Sequence, residues 1–400
     1  MRILWHSNAP WVGSGYGNQT ALFCKLMAEA GHEVIVRAFH GLQGAPVQWG
    51  PITVLPGSFH SYGEDVLIRD WQEYKPDAHI TLIDVWIYQP DVLKAVPLTA
   101  WCPVDHDPLP PPVAEKLPFF THIWAMSRFG ERKMREKGFD PYYVPHGVDL
   151  AQYQPKDRTA ARKIYNVDDD QLFVVSVAAN TGTPSRKNLD RMLKAWSIFV
   201  RTHPKAFLWL HSEPYGARQG LDLPRIVDFY EIPRHTVKFA NPHLLQKGDY
   251  NNDWMNQLYN AADVFWLPSR GEGFGIPALE AQASGTPVIV SDFSAQHELG
   301  EAGYRVPIDP IDDLEYSLQG SEHAIPKVSE LVKSLEWAAE HKGDAALRVR
   351  ARDFAMEYDA HKIFTQHMFP ALERIAGYAA PYVKGRKPTE EPKALQGAAD

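Results

Sequence analysis

The sequence predicts an α/β protein of two doubly wound, Rossmann-like domains on parallel sheets facing each other across a cleft. Three observations carry this. At the N-terminus an apolar run, a Gly-rich turn, a helical pattern and a second apolar run follow one another, which is a βαβ unit. The same alternation restarts after residue 150. The apolar runs are continuous, as in strands covered on both faces.

Taken in order, Ile3-Leu4-Trp5 reads as a strand, 13–17 as the Gly-rich turn and 18–30 as a helix stopped by Gly31. Strands follow at 34–36, 79–83, 98–101, 122–126 and 142–144, with a charged helix over 129–137. Turn chemistry at Pro145-His146-Gly147-Val148-Asp149, continued by Tyr153-Gln154-Pro155, marks a linker. The second half reads as strands at 172–177, 207–210, 237–239, 264–267 and 287–290. Its helices are expected over 189–202, 254–261, 277–284, 327–340 and 346–378. The domains are therefore 1–150 and 151–380, the second closed by C-terminal helices, with a polar tail at 381–400 expected to be disordered. Ligands in such sheets bind beyond the carboxyl ends of the strands, so the cleft is the expected site.

Composition narrows the function. A 400-residue chain with 44% hydrophobic and 22% charged residues is an ordinary globular protein. Its formal charge of -8 argues against a bulk electrostatic grip on nucleic acid. Cys24 and Cys102 form no metal-ligand spacing and suit a reduced cytoplasmic setting. The opening MRILWHSNAP predicts no secretory signal, and no run approaches a membrane span, so no stable membrane insertion is expected.

The chemistry concentrates in 267–281. A strand ends at Leu267, a Gly-rich turn carries Glu272, and a helix starts near Pro277 with Glu280 inside it. Free amides around Gly275 and Ile276 can hold an anion, and Gly273 and Gly275 let it approach. Two carboxylates flanking an anion-binding turn suit a sugar diphosphate.

This segment, with Phe274 and the downstream Ala283-Ser284-Gly285-Thr286-Pro287 and Gln296-His297-Glu298-Leu299, resembles the retaining glycosyltransferases of family four. The resemblance implies a GT-B fold, a nucleotide-diphosphate sugar as donor substrate, retention of configuration and no cofactor or metal. It implies Glu272 on the donor sugar, Glu280 on the ribose and Lys187 of Arg186-Lys187-Asn188 on the diphosphate. The family's arginine about six residues earlier is Thr181 here, and Arg186 is the candidate replacement. The family's Gly-rich loop implies Gly15 as a binding residue. Its histidine at a first-domain strand end implies His106, with Asp105 as rival. The opening Trp5-His6-Ser7-Asn8-Ala9-Pro10-Trp11 and Pro103-Val104-Asp105 look most like bacteriophage-encoded members, which favours protein or modified DNA as acceptor and leaves lipid and glycan open.

Three readings stand beside this one. Asp105 and Asp107 spell Asp-x-Asp, a metal motif of unrelated transferases, but a metal needs convergent ligands and none is expected. Arg128, Arg132 and Arg135 form a basic helical stripe, expected to be a solvated face. The function alternatives are a GT-B-fold epimerase or phosphorylase, or a non-catalytic sugar-nucleotide-binding subunit.

Overall fold

The computed structural model describes residues 1–383. The disordered tail expected over 381–400 lies outside the described residues from 384 onward, and 381–383 close a helix ending at Val383.

Sixteen strands are described. The first sheet holds β1 (Arg2–Asn8), β2 (Glu33–His40), β3 (Val47–Trp49), β4 (Ile52–Leu55), β5 (Ala78–Leu82), β6 (Thr99–Cys102), β7 (His122–Ala125) and β8 (Tyr142–Tyr143). Their order is β3-β4-β2-β1-β5-β6-β7-β8, parallel except for β3 against β4. The second holds β9 (Phe173–Val177), β10 (Phe207–His211), β11 (Val237–Phe239), β12 (Val264–Leu267), β13 (Val288–Ser291) and β14 (Gly303–Val306). It is fully parallel in the order β11-β10-β9-β12-β13-β14, the doubly wound arrangement with its switch point between β9 and β12. A small antiparallel hairpin, β15 (Leu314–Tyr316) and β16 (Glu322–Ala324), stands apart.

The continuous apolar runs are buried on both faces: Ile3, Leu4 and Trp5 of β1 and Val264, Phe265 and Trp266 of β12 are at most 1% exposed. Tryptophan serves the core here. Trp101 meets Trp5, Phe23 and Trp124 edge-on at 5.8, 5.5 and 6.2 Å. Trp196 lies 6.5 Å from Trp266 in the second core.

The helix after β1 starts at Gly15 because Ser14 caps it, its Oγ accepting from the Gly17 amide at 3.1 Å. The helical tract expected over 346–378 is broken. It runs Ala345–Met356, stops, restarts at Ala360–Ile363 under the Asp359 cap, passes one π turn and continues as Phe369–Val383. The break lets the chain return. The helix Ala345–Met356 packs on Ile276–Ala283 in the second half, whereas Phe369–Val383 packs on β5.

The chain thus passes between the two sheets twice, and the passages pair with each other. The Val148 amide donates to the Tyr358 carbonyl at 2.9 Å, and the Ala360 amide to the Val148 carbonyl at 3.0 Å. Gln19 clamps Gly147 from the side, donating to its carbonyl at 2.9 Å and accepting from its amide at 3.1 Å. A Cβ on Gly147 would lie 3.0 Å from the Ala360 Cα, so the two passages approach closely enough here to favour glycine.

Candidate functional site

The two sheets present the carboxyl ends of their strands to each other, and the loops there meet. The loop after β12 carries Ser269, Arg270, Gly271 and Glu272. The loop after β9 carries Arg186 and Lys187. Asn188 adopts φ 61°, a left-handed conformation asparagine tolerates, and starts the helix Leu189–Phe199. Its side chain donates to the Pro268 carbonyl at 3.1 Å, and the Arg270 amide donates to the Arg186 carbonyl at 2.9 Å. These two bonds hold the loops side by side.

Glu272 sits at their centre. Its carboxylate accepts from Lys187 Nζ at 2.6 and 2.7 Å, Arg186 Nη1 at 3.1 Å and Ser269 Oγ at 2.6 Å. Its amide donates to Ser294 Oγ at 2.9 Å. Burial pushes its pKa up, but the charges of Lys187 and Arg186 outweigh this and hold it at about 2. Burial and the neighbouring Arg186 lower the Lys187 pKa, with Glu272 opposing.

Arg186 also lies 3.4 Å from Asp105 across the cleft. Asp105 and His106 are partners: Oδ1 and Nδ1 are 2.6 Å apart. Burial pushes Asp105 up, and the bond to His106 and the charge of Arg186 bring it to about 2. His106 is 2% exposed, and the His323 ring of β16 lies 5.5 Å away. Asp84, just past β5, accepts from the Tyr16 hydroxyl at 3.3 Å. Burial and the carboxylate of Asp105 push Asp84 up to about 6.

Gly275 has φ 112° and caps the helix Ile276–Ala283, which starts one residue before Pro277. Among the described residues no group accepts from the amides of Phe274, Gly275 and Ile276. They remain available to an anion. Gly15 stands opposite: a Cβ there would lie 3.2 Å from Ile276 Cδ1.

Two candidates make further contacts. A Cβ on Gly273 would fall 2.3 Å from the Pro103 Cβ, so its bare Cα makes room for the first-domain loop. The Phe274 side chain turns inward, edge-on to His146 at 5.1 Å and Tyr358 at 5.8 Å, which leaves only its backbone to a ligand. Gly271 is tighter still, its absent Cβ falling 2.1 Å from the Asp105 carbonyl oxygen. Gly271→Ala is therefore expected to hold the cleft ajar and lower kcat by about 10²-fold. Unchanged turnover with an unchanged scattering radius would contradict this close approach.

Glu280 is 6% exposed. It accepts from Tyr259 Oη at 3.0 Å and, across the cleft, from Asn18 Nδ2 at 3.2 Å. Burial raises its pKa to about 7, only partly offset by these bonds. A carboxyl raised in the folded state adds stability at low pH that is lost as pH rises through about 7. Glu280→Gln should therefore raise Tm at pH 8 more than at pH 5, a comparison that calorimetry makes directly. Equal shifts at both values would show that Glu280 is not held above its ordinary range.

The remaining candidates separate. Asp107 is bound by Lys133 at 2.9 Å, away from Asp105's partners, so the Asp-x-Asp carboxylates face different cations. Arg128, Arg132 and Arg135 pair with Glu131, Glu136 and Asp140 on a solvated face. Thr181 bridges the backbone of Arg218 and brings no cation of its own. Sequence reading named Glu298 only as part of a matching segment and gave it no role; its carboxylate accepts from the amides of Arg128 and Phe129 at 3.0 and 2.7 Å and so caps a first-half helix from the second half. A separate cavity of about 530 Å³ lies beside the two passages, lined by Tyr143, Asp353, Glu357 and Tyr358 among others.

Comparison with known proteins fits this arrangement. Residues 173–319, spanning β9 to the hairpin, match the family "Glycosyl transferases group 1". Solved structures match nearly the whole chain. Sucrose-phosphate synthase from Thermosynechococcus elongatus superposes with a TM-score of 0.72 at 18% identity, covering 94% of this chain and 99% of that one. WaaG, a glycosyltransferase involved in lipopolysaccharide biosynthesis, gives 0.62 at 15% identity over 96% and 100%. HepE from Anabaena, solved with UDP and glucose, gives 0.64 at 17% identity over 94% and 100%. The fold is GT-B. Among curated proteins, the D-inositol 3-phosphate glycosyltransferase of Geodermatophilus obscurus is 32% identical over 162 residues, 38% of this chain. The match spans only 34% of that relative's length. A glycosyltransferase of Sulfolobus islandicus rod-shaped virus 1 is 23% identical over 60% of this chain and 70% of its own. Among the described residues no helix is long and apolar enough to cross a membrane.

Proposed function

We propose that the protein is a glycosyltransferase that moves a sugar from a nucleoside-diphosphate sugar to an acceptor hydroxyl, with retention of configuration and without a metal. The observation that carries this is the cluster of Lys187 and Arg186 on the buried Glu272 carboxylate, beside the unpartnered amides of Phe274, Gly275 and Ile276. Two cations and a helix start suit a diphosphate, and a carboxylate at the same point suits the sugar joined to it. Glu280, with Asn18 and Tyr259, would receive the ribose hydroxyls. As the sugar leaves, charge grows on the diphosphate, where Lys187 and the amides stabilise it. The acceptor oxygen bonds the anomeric carbon as the carbon–oxygen bond to the diphosphate breaks. The electron pair leaves with the diphosphate, which takes the acceptor's proton. Retention rests on the family resemblance. Independence from metal rests on the cations the chain itself supplies. The buried free thiols of Cys24 and Cys102 suit a reducing cytoplasm; the phage-like reading rests on the opening segment and the Pro103-Val104-Asp105 element.

A thermal-shift screen against UDP-, GDP- and dTDP-sugars, followed by assay of released nucleoside diphosphate with and without chelator, tests this. Donor-dependent stabilisation and chelator-resistant release are expected. Binding without release would favour the non-catalytic reading, and isomerisation of the bound sugar the epimerase.

A further inference from the structure

Five loops leave the carboxyl ends of β1, β2, β4, β5 and β6 and form the first half's side of the cleft. Residues 9–14, 41–46, 56–63, 83–89 and 103–110 contain no lysine or arginine. They carry exposed rings instead: Trp11 is 45% exposed, Phe59 103%, Tyr62 38% and Trp86 42%. Tyr62 and Trp86 meet edge-on at 5.9 Å. The Tyr62 carbonyl accepts from His6 Nε2 at 2.7 Å, which fixes the loop that holds the ring pair. Burial lowers the His6 pKa to about 4, so this imidazole is neutral at physiological pH.

Trp86 follows Asp84 by two residues. The Trp86 ring and the Asp84 carboxylate therefore leave the same short turn after β5, and Arg186 and Asp105 act electrostatically on Asp84 and on its partner Tyr16. A ring platform, a carboxylate and a phenol thus stand beside the point where a donor sugar would be held.

A phosphorylated acceptor needs a cation placed for it, and a nucleic acid needs a basic surface. The five loops offer neither, and Asp84 and Asp105 repel an anion. The basic residues nearest this edge are engaged: Arg186 and Lys187 by Glu272, Lys133 by Asp107. Flat aromatic faces beside hydrogen-bond acceptors instead match a pyranose, which has an apolar face and hydroxyls around its edge.

We propose that the acceptor is an uncharged sugar, the exposed pyranose of a glycan or glycoside. Its face stacks on Trp86, with the perpendicular Tyr62 ring walling one side, and its reacting hydroxyl is oriented by Asp84 and Tyr16. This rests on the glycosyltransferase reading and departs from the sequence-based preference for protein or modified DNA.

The test separates acceptor from donor. Isothermal titration of the full chain, saturated with UDP, measures maltose and methyl α-D-glucoside against glucose 6-phosphate, a serine peptide and a hydroxymethylcytosine duplex. Saturable binding of an uncharged sugar is expected. Trp86→Ala and Asp84→Asn should each weaken it about tenfold or more, and Trp86→Phe should restore much of the loss. The stabilisation of Trp86→Ala by UDP-sugars, read as ΔTm, reports folding and the donor site independently. The proposal is overturned if no uncharged sugar binds, if a phosphorylated sugar, peptide or duplex binds more tightly, or if Trp86→Ala leaves affinity within about twofold. Should glycosides bind while no nucleotide sugar raises Tm, the donor reading fails and the acceptor site stands.

Discussion

Glu272→Gln is expected to lower kcat by about 10²- to 10³-fold while the donor KM moves by less than about tenfold. The carboxylate is held by Lys187, Arg186 and Ser269. A diphosphate that takes Lys187 releases this charge toward the sugar, where positive character grows as the bond to the leaving group stretches. Glutamine keeps the shape and loses the charge. With its pKa held at about 2, Glu272 is ionised throughout the working range and adds no acid limb to kcat there. Lys187, already lowered by burial and Arg186, loses its counter-charge in the variant. Donor KM should then climb at alkaline pH in Glu272→Gln before it does in the wild type. Stopped-flow and steady-state kinetics across pH read both effects. A loss confined to KM would mean that Glu272 only binds.

Lys187→Ala should act more broadly, lowering kcat/KM for the donor by about 10³-fold or more. It removes the cation facing the diphosphate and also leaves Glu272, 6% exposed, with Arg186 alone to balance it. Breaking a buried pair from one side costs roughly 3–5 kcal/mol. The sign in pH follows from linkage. A carboxylate lowered in the folded state adds stability above its ordinary pKa, and that stability is lost as pH falls through about 2. With Lys187 gone, the folded pKa rises, so Tm should drop at pH 7 and the acid limb move to higher pH. Lys187→Arg keeps a charge and should recover stability better than rate, since a planar fork replaces a compact ammonium. Equal activity in Lys187→Ala and wild type would remove the cluster from the donor site.

The parts of this fold legible in the sequence were those with a local signal. Continuous apolar runs marked the inner strands, and the strand–glycine–helix spacing placed Glu272 and Glu280 correctly relative to β12. The short strands β3 and β14 and the hairpin β15–β16 lacked such runs: Val47, Gln48, Glu315 and Tyr316 are exposed and alternate with nothing periodic. β4 is largely apolar but only four residues long, Ile52–Leu55. The hairpin matters because it brings His323 to His106, a contact between remote segments that leaves no trace in either. The bond from Asn18 to Glu280 joins residues 262 apart. Gly273 was read as room for an anion because glycine reports only that space is needed. That Pro103 stands against it, and Asp105 against Gly271, follows from the docking of two domains. The break at Met356–Ala360 was hidden because apolar spacing persists across it, and the Asp359 cap became meaningful only against Val148.

The paired passages at Val148 and Tyr358–Ala360 bear on timing. Two segments hydrogen-bonded to each other, the first also gripped by Gln19 at Gly147, resist torsion far more than a single flexible linker would. Any opening of the cleft is then expected to be a swing about that seam, in which Gly271 parts from Asp105 and Gly273 from Pro103 and each meets the same partner on return. Closure along one path costs little orientational entropy, so the loops regain their mutual geometry without a search.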